Sequence, residues 1–231
     1  RDAGFAVAFA CAPAEEDAAG DLAALVGRMG MRVHVIRHLR RAIHPWHDLL
    51  SVIELWRLCR WARYAIVHTH NSKAGIVGRV AAWLAGVPII VHTYHSCVFR
   101  YGHLRPWQQR LFLGVERLVA PLTTHCIAIS EALRGECLSA GLAKPDRIET
   151  IYSGIDLEAF RQGGGRDEVR RQLGLLAQDV VIGSVARVDV GKGHQELLDT
   201  LAQLTSRFPH AKLLCVGDGP LRRRLEARIR Q

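Results

Sequence analysis

Short apolar runs closed by polar residues alternate along the chain with longer segments in which apolar residues recur every three or four positions. The first kind has the period of buried strands, the second that of helices packed on a sheet. In order, the pattern predicts a strand at 5–11, a helix near 20–29, a strand at 32–36, a helix at 46–62, a strand at 65–69, a helix at 73–85 and a strand at 87–93. It continues with a polar loop at 101–105, a helix at 106–122 entered through Pro106, a strand at 124–129, a helix at 131–140 capped by Ser130, and a strand at 147–152. A polar, glycine-rich stretch at 161–167 breaks the alternation, which restarts with a buried strand at 180–186, a helix at 192–207, a strand at 211–216 and a helix at 220–230. This order predicts an α/β protein with parallel sheets in two domains: 1–155, a linker over 156–178, and the start of a second domain at 179–231.

The run from Val67 to His95 organises the rest. A crossover through one helix makes its two strands parallel, so both carboxyl ends open on one edge, the usual ligand crevice of an open parallel sheet. His68, His70, Asn71 and Ser72 on the first strand end and His92, Tyr94 and His95 on the second are therefore expected to face one crevice. Imidazoles at both ends raise the question of a metal, but no Asp, Glu or Cys lies close in sequence, and none is expected. Hydrogen bonding to a ligand is the expected role, with satisfied core histidines as the other reading of His68 and His92.

In the second half, Arg187 to Gly193 joins a strand to a helix start. Backbone amides, the positive end of a helix and the cations of Arg187 and Lys192 converge there, as a diphosphate requires. Gly217-Asp218-Gly219-Pro220 is a second turn at a strand end, where backbone can approach a ligand closely. Neither loop is a P-loop or a dinucleotide fingerprint, which argues against an NTPase or a dehydrogenase.

Charge narrows the partner. Lys and Arg number 31 against 22 Asp and Glu, a net charge of +9, so the partner is expected to be anionic. Only 6% of residues are aromatic and no nucleic-acid motif appears, which argues against nucleic acid. In the 46–62 helix, Trp46, Leu49, Leu50, Ile53 and Trp56 share helical spacing, with Arg57, Arg60, Trp61 and Arg63 at the far end. Packing on the sheet with a solvated basic edge is expected; a membrane-surface helix is the alternative. Six cysteines without metal or redox spacing predict core thiols in a reducing, cytoplasmic setting, with peripheral contact at the inner face of an anionic membrane as an accompanying expectation. No apolar stretch is long enough to span a bilayer, and Arg1 directly before an apolar strand reads as the interior of a longer frame.

Six segments in this order resemble the landmarks of family 4 glycosyltransferases with the GT-B fold. They are Val-His-Thr-His-Asn-Ser-Lys-Ala-Gly from Val67, Pro-Ile-Ile-Val-His-Thr-Tyr-His from Pro88, Ile-Ala-Ile-Ser-Glu from Ile127, Ile-Tyr-Ser-Gly-Ile-Asp from Ile151, Arg187-x4-Lys192-Gly193, and Val-Gly-Asp-Gly-Pro from Val216. The resemblance implies two Rossmann-like parallel-sheet domains facing a cleft, the second one truncated. It implies retaining transfer of a sugar from a nucleotide diphosphate sugar to a lipid-linked or polysaccharide acceptor, with no cofactor and no catalytic metal. It places His95 near the donor sugar, Arg187 and Lys192 on the departing diphosphate, Gly217, Asp218 and Gly219 on the nucleotide side, and His70, Asn71 and Lys73 among the substrate-binding residues. Ser96, Ala186 and Ser153 depart from the residues the family usually has there. A first strand with a glycine loop, and a donor-holding Glu-x7-Glu segment, are expected outside the 231 residues, so the chain alone is expected to be inactive. Two readings from other classes stay open: a non-catalytic module binding a phosphorylated ligand or polyanion, and a nucleotide-sugar epimerase.

Overall fold

The computed structural model describes residues 4–13, 22–40, 42–97, 99, 104–161 and 164–230. The start of the expected first helix (20–21), most of the expected loop at 101–105 and residues 162–163 of the glycine-rich stretch lie outside them. The elements are β1 (Ala8–Cys11), α1 (Leu22–Arg28), β2 (Arg32–Val35), α2 (Pro45–Ala62), β3 (Ile66–His70), α3 (Ser72–Leu84), β4 (Ile89–Tyr94), α4 (Pro106–Val119), β5 (His125–Ala128), α5 (Glu131–Ser139), β6 (Ile148–Thr150), α6 (Leu157–Arg161), α7 (Arg166–Gln172), β7 (Val180–Val185), α8 (His194–Leu204), β8 (Ala211–Val216) and α9 (Arg222–Ile229). The chain divides into two compact units, Arg1–Gly154 and Ile155–Gln231.

The first unit holds a β1-β2 pair and a four-stranded sheet in the order β3-β4-β5-β6, every pair parallel. Its main core lies between the four-stranded sheet and α5, around Tyr94, Cys126, Ala128, Leu133, Cys137 and Leu142. The Ser130 cap is present: its hydroxyl accepts from the Leu133 amide at 3.2 Å. A second cluster joins Cys59 of α2 and Ala82 of α3 to Val87 and Ile90. Four cysteines are buried as expected, but Cys215 is exposed and Cys11 half-buried.

Helix α3 comes unusually close to the sheet because its facing positions are glycines. A Cβ on Gly75 would lie 2.4 Å from the His92 ring, and one on Gly78 would lie 2.8 Å from Thr69 Cγ2. Closed in this way, the interface seals Arg79 completely. Its Nη2 donates to Glu116 Oε2 of α4 at 2.7 Å, its Nε to the Gly75 carbonyl at 3.0 Å, and its Nη1 to Tyr94 Oη at 3.5 Å.

Two expectations need correction. The tryptophans of α2 do not pack on the sheet: Trp46, Leu49, Trp56 and Trp61 are exposed, while Ser51 and Cys59 on the other side are buried. Cys59 packs with Ala82 of α3, and the tryptophans are turned to solvent. Strand β7 is not buried; Val180, Ile182 and Val185 are exposed, since α8 packs on β8, and α9 on α8. The stretch expected as a linker contains α6 and α7. Asp156 Oδ1 accepts from the Glu158 amide at 3.1 Å to start α6, and Arg170 of α7 donates to the carbonyls of Leu176 (2.6 Å) and Asp179 (2.9 Å).

His92 sits under Gly75 with Nδ1 2.8 Å from the Thr69 hydroxyl, and is 1% exposed. Burial, then the Arg79 charge, pushes its pKa down to about 2. The unfolded chain protonates it near 6.5, so stability is lost as pH falls below that value. We predict that acidification from pH 8 to pH 5 removes about 2 kcal/mol through this residue. Urea unfolding of His92→Gln should show a correspondingly shallower pH slope; an unchanged slope would refute the assignment.

Candidate functional site

Two loop clusters carry the candidate chemistry, one in each unit. In the first, the β3–β4 register sets His70 opposite Thr93 and Thr69 opposite His92, so alternation divides the polar residues between the two faces of the sheet. His92 and Tyr94 point towards α3, where they are buried and meet edge to face at 4.4 Å. The expectation that they line the crevice is therefore wrong. His68 and His70 are on the opposite face, and His95 follows the end of β4. His70 Nδ1 lies 3.1 Å from His95 Nε2. The His68 and His70 rings are 4.3 Å apart, and His68 Nε2 is 2.7 Å from the hydroxyl of buried Thr93. The pKa of His70 is lowered by burial first, then by His68 and His95. Thr93 was not singled out in the sequence; the strand register is what brings it to His68.

Asn71 caps α3 at φ 63°, ψ 163°, a backbone region that costs a residue with a side chain on the order of 1–3 kcal/mol. Its side chain makes no capping bond, and among the described residues no side chain accepts from the first-turn amides of α3. Lys73 is the second residue of this helix but is held internally. Its Nζ is 2.6 Å from Asp48 Oδ1 and also donates to the Ala42 carbonyl, tying the starts of α2 and α3 together. Asp48 has no signature in the sequence, since only packing brings it to Lys73.

In the second unit the turns after β7 and β8 are stitched into one surface. Ala186 N donates to Val216 O at 3.1 Å, Val188 N to Asp218 O at 2.9 Å, and Leu221 N to Val188 O at 3.2 Å. Both glycines are required for this. A Cβ on Gly217, whose φ is 151°, would fall 2.0 Å from the Ala186 carbonyl oxygen, and one on Gly219 would fall 2.3 Å from that of Val188. The sequence predicted α8 from residue 192; it begins at His194 after the left-handed Gly193. Lys192 is therefore in the turn, exposed, with no ion pair among the described residues. Arg187 is also exposed, with Nε 3.3 Å from Asp189 Oδ2. Gly193 supplies no side-chain cap, so the first amides of α8 remain available at the positive end of the helix dipole. Asp218 is engaged locally, accepting from the Gly219 amide at 2.7 Å and facing Arg222 at 3.4 Å. The structure thus brings Arg187, Lys192, Gly217, Asp218 and Gly219 into one unit, and His70, Asn71, Lys73 and His95 into the other.

Among the described residues, no group of three or more His, Cys, Asp or Glu is placed to hold a metal ion, and no helix is long and apolar enough to cross a membrane.

Comparison with known proteins assigns the family. The sequence model of Glycosyltransferase Family 4 matches residues 1–159. The UDP-Gal:alpha-D-GlcNAc-diphosphoundecaprenol alpha-1,3-galactosyltransferase of Escherichia coli is 31% identical over 194 residues, covering 83% of this chain and 50% of that protein. The capsular polysaccharide biosynthesis glycosyltransferase CapM of Staphylococcus aureus is 29% identical over 188 residues, covering 80% and 48%. The chain spans about half the length of these curated relatives. Among solved structures, that of Anabaena HepE in complex with UDP and glucose superposes with a TM-score of 0.70 at 22% identity, covering 92% of this chain and 56% of that one. The parallel α/β architecture is that of the GT-B glycosyltransferases, and the chain belongs to glycosyltransferase family 4.

Proposed function

We propose that the protein encoded by this gene transfers a sugar, with retention of configuration, from a nucleotide diphosphate sugar to a lipid-linked or polysaccharide acceptor. The observation that carries this reading is the fused Arg187–Gly193 and Gly217–Pro220 surface. It sets two exposed cations beside uncapped helix amides, with both glycines stripped of side chain where backbone meets backbone. Cleavage of the sugar–phosphate bond develops negative charge on the diphosphate, and fixed cations there stabilise the transition state more than the ground state. Arg187 and Lys192 take that role. Gly217, Asp218 and Gly219 line the nucleotide side, and Arg187 exchanges Asp189 for phosphate on binding. In the first unit His95 faces the donor sugar and Asn71 presents the uncapped amides of α3. Lys73, already paired with Asp48, positions the two helix starts.

The acceptor reading draws on the E. coli relative, whose substrate is linked to undecaprenol diphosphate. It also draws on the exposed face of α2, where Trp46, Leu49 and Trp56 stand beside Arg57 and Arg60. Such a face suits an anionic bilayer surface. We predict that vesicles containing anionic lipid bind the chain and that Trp46→Ala/Trp56→Ala weakens the binding at least severalfold; equal binding by native and variant chains would remove the membrane part of the proposal.

The direct test supplies the protein, as its gene encodes it, with UDP-galactose, UDP-glucose and a polyprenyl diphosphate-linked saccharide, and follows product anomer by NMR. Transfer with the donor's own anomeric configuration is expected. No transfer from any nucleotide sugar, together with tight and steeply salt-dependent binding of long polyanions, would favour the polyanion-binding alternative.

A further inference from the structure

We propose that His70 is a positioning residue for His95: its Nδ1, 3.1 Å from His95 Nε2, occupies that nitrogen and leaves His95 Nδ1 as the ring nitrogen available to a ligand. The proposal rests on the reading above only in placing His95 near the donor sugar; the pairing itself is a matter of geometry.

The two residues differ in how firmly the fold holds them. His95 lies beyond the end of β4 and is exposed, so its own backbone does little to fix the ring. His70 is the last residue of β3, inside the parallel ladder and opposite Thr93. Its ring is braced by that of His68, 4.3 Å away and tilted by 34°, and His68 is in turn anchored at 2.7 Å on the hydroxyl of Thr93, which is 5% exposed. Order is thus handed outward from a buried threonine through two strand histidines to a residue that the strand no longer controls. Only one proton fits between two imidazole nitrogens at this separation. The pair therefore links the tautomers of the two rings, one nitrogen donating and the other accepting, and fixes how the His95 ring is turned. A site residue held in one rotamer before the ligand arrives loses little freedom on binding, which is the benefit of preorganisation. Simple filling of space between β3 and β4 would make the same contacts without requiring nitrogen to face nitrogen.

The test separates the pairing from its consequence. In the chain labelled with ¹⁵N-histidine, a scalar coupling across the His70 to His95 hydrogen bond is expected. In His70→Phe, which keeps a ring of similar size, the coupling should vanish and the His95 Nε2 resonance should move. In His70→Asn, whose amide can still give or accept a hydrogen bond, that resonance should stay close to native. In the protein as its gene encodes it, His70→Phe should lower kcat by on the order of tenfold to a hundredfold, the range seen when the partner that orients a functional imidazole is lost. KM for the nucleotide sugar should stay within about twofold, and His70→Asn should recover most of the rate. Absence of the coupling, or an unmoved His95 resonance in His70→Phe, overturns the pairing. A native kcat in His70→Phe where His95→Ala is impaired overturns the positioning role alone. A native kcat in both overturns that role together with the reading of His95 as a sugar-facing residue.

Discussion

Replacing Arg187 by alanine is expected to lower the kcat of sugar transfer by about a hundredfold to a thousandfold, and Lys192→Ala by a similar factor, each the cost of removing one fixed group from the site of developing charge. Both cations act on the leaving diphosphate in the proposed reaction, and both lie on the turn that carries α8 away from β7. Neither is part of the core: each is exposed, and the Arg187 to Asp189 pair is a surface contact of the kind that adds little to stability. The variants should therefore unfold at the native urea midpoint while failing in transfer. Arg187→Lys should recover only part of the loss, because a point charge replaces a planar fork that can hold two phosphate oxygens at once. The double variant should be much less than multiplicatively worse than either single one if the two cations hold one diphosphate as a unit. Transfer at native rates by Arg187→Ala would remove this loop from the catalytic site.

The second large effect is on stability. Glu116→Ala should cost about 3–5 kcal/mol, because it leaves the Arg79 guanidinium charged, unpaired and sealed from water. Arg79 has no exposed surface and Glu116 is 6% exposed, and the pair ties α3 to α4 through a 2.7 Å contact, with Tyr94 and the Gly75 carbonyl taking further guanidinium donors. For a unit of this size the loss corresponds to a fall in Tm on the order of 10 °C. Removing both charges tells a different story. Arg79→Met/Glu116→Leu is expected to recover most of the stability, since neither member then requires a partner in a dry interface. A single Glu116→Ala variant as stable as the native chain would show that water reaches this pair, contrary to the packing described.

Much of this protein follows from sequence by itself, because the underlying rules are local. The alternation of apolar runs located the strands and most helices of both units to within a few residues. The single-helix crossover between β3 and β4 dictated parallel pairing. Glycine spacing marked Gly217 and Gly219 for close approach to a ligand; the approach the structure shows is to the Ala186 and Val188 carbonyls of the neighbouring turn.

What sequence left open depended on contacts between distant residues. The face of β4 that carries His92 and Tyr94 was decided by α3, which packs closely enough through Gly75 and Gly78 to bury them both. The direction of the α2 tryptophans was decided by the same helix: Cys59 packs with Ala82 of α3, and Trp46 and Trp56 are left outside. Lys73 carries a positive charge in any fold, but only the meeting of two helix starts gives it Asp48 as a partner. The His70 to His95 contact likewise exists only because β3 and β4 pair in one particular register. Periodicity states which residues share a face of one element; which neighbour covers that face is a property of the packed chain.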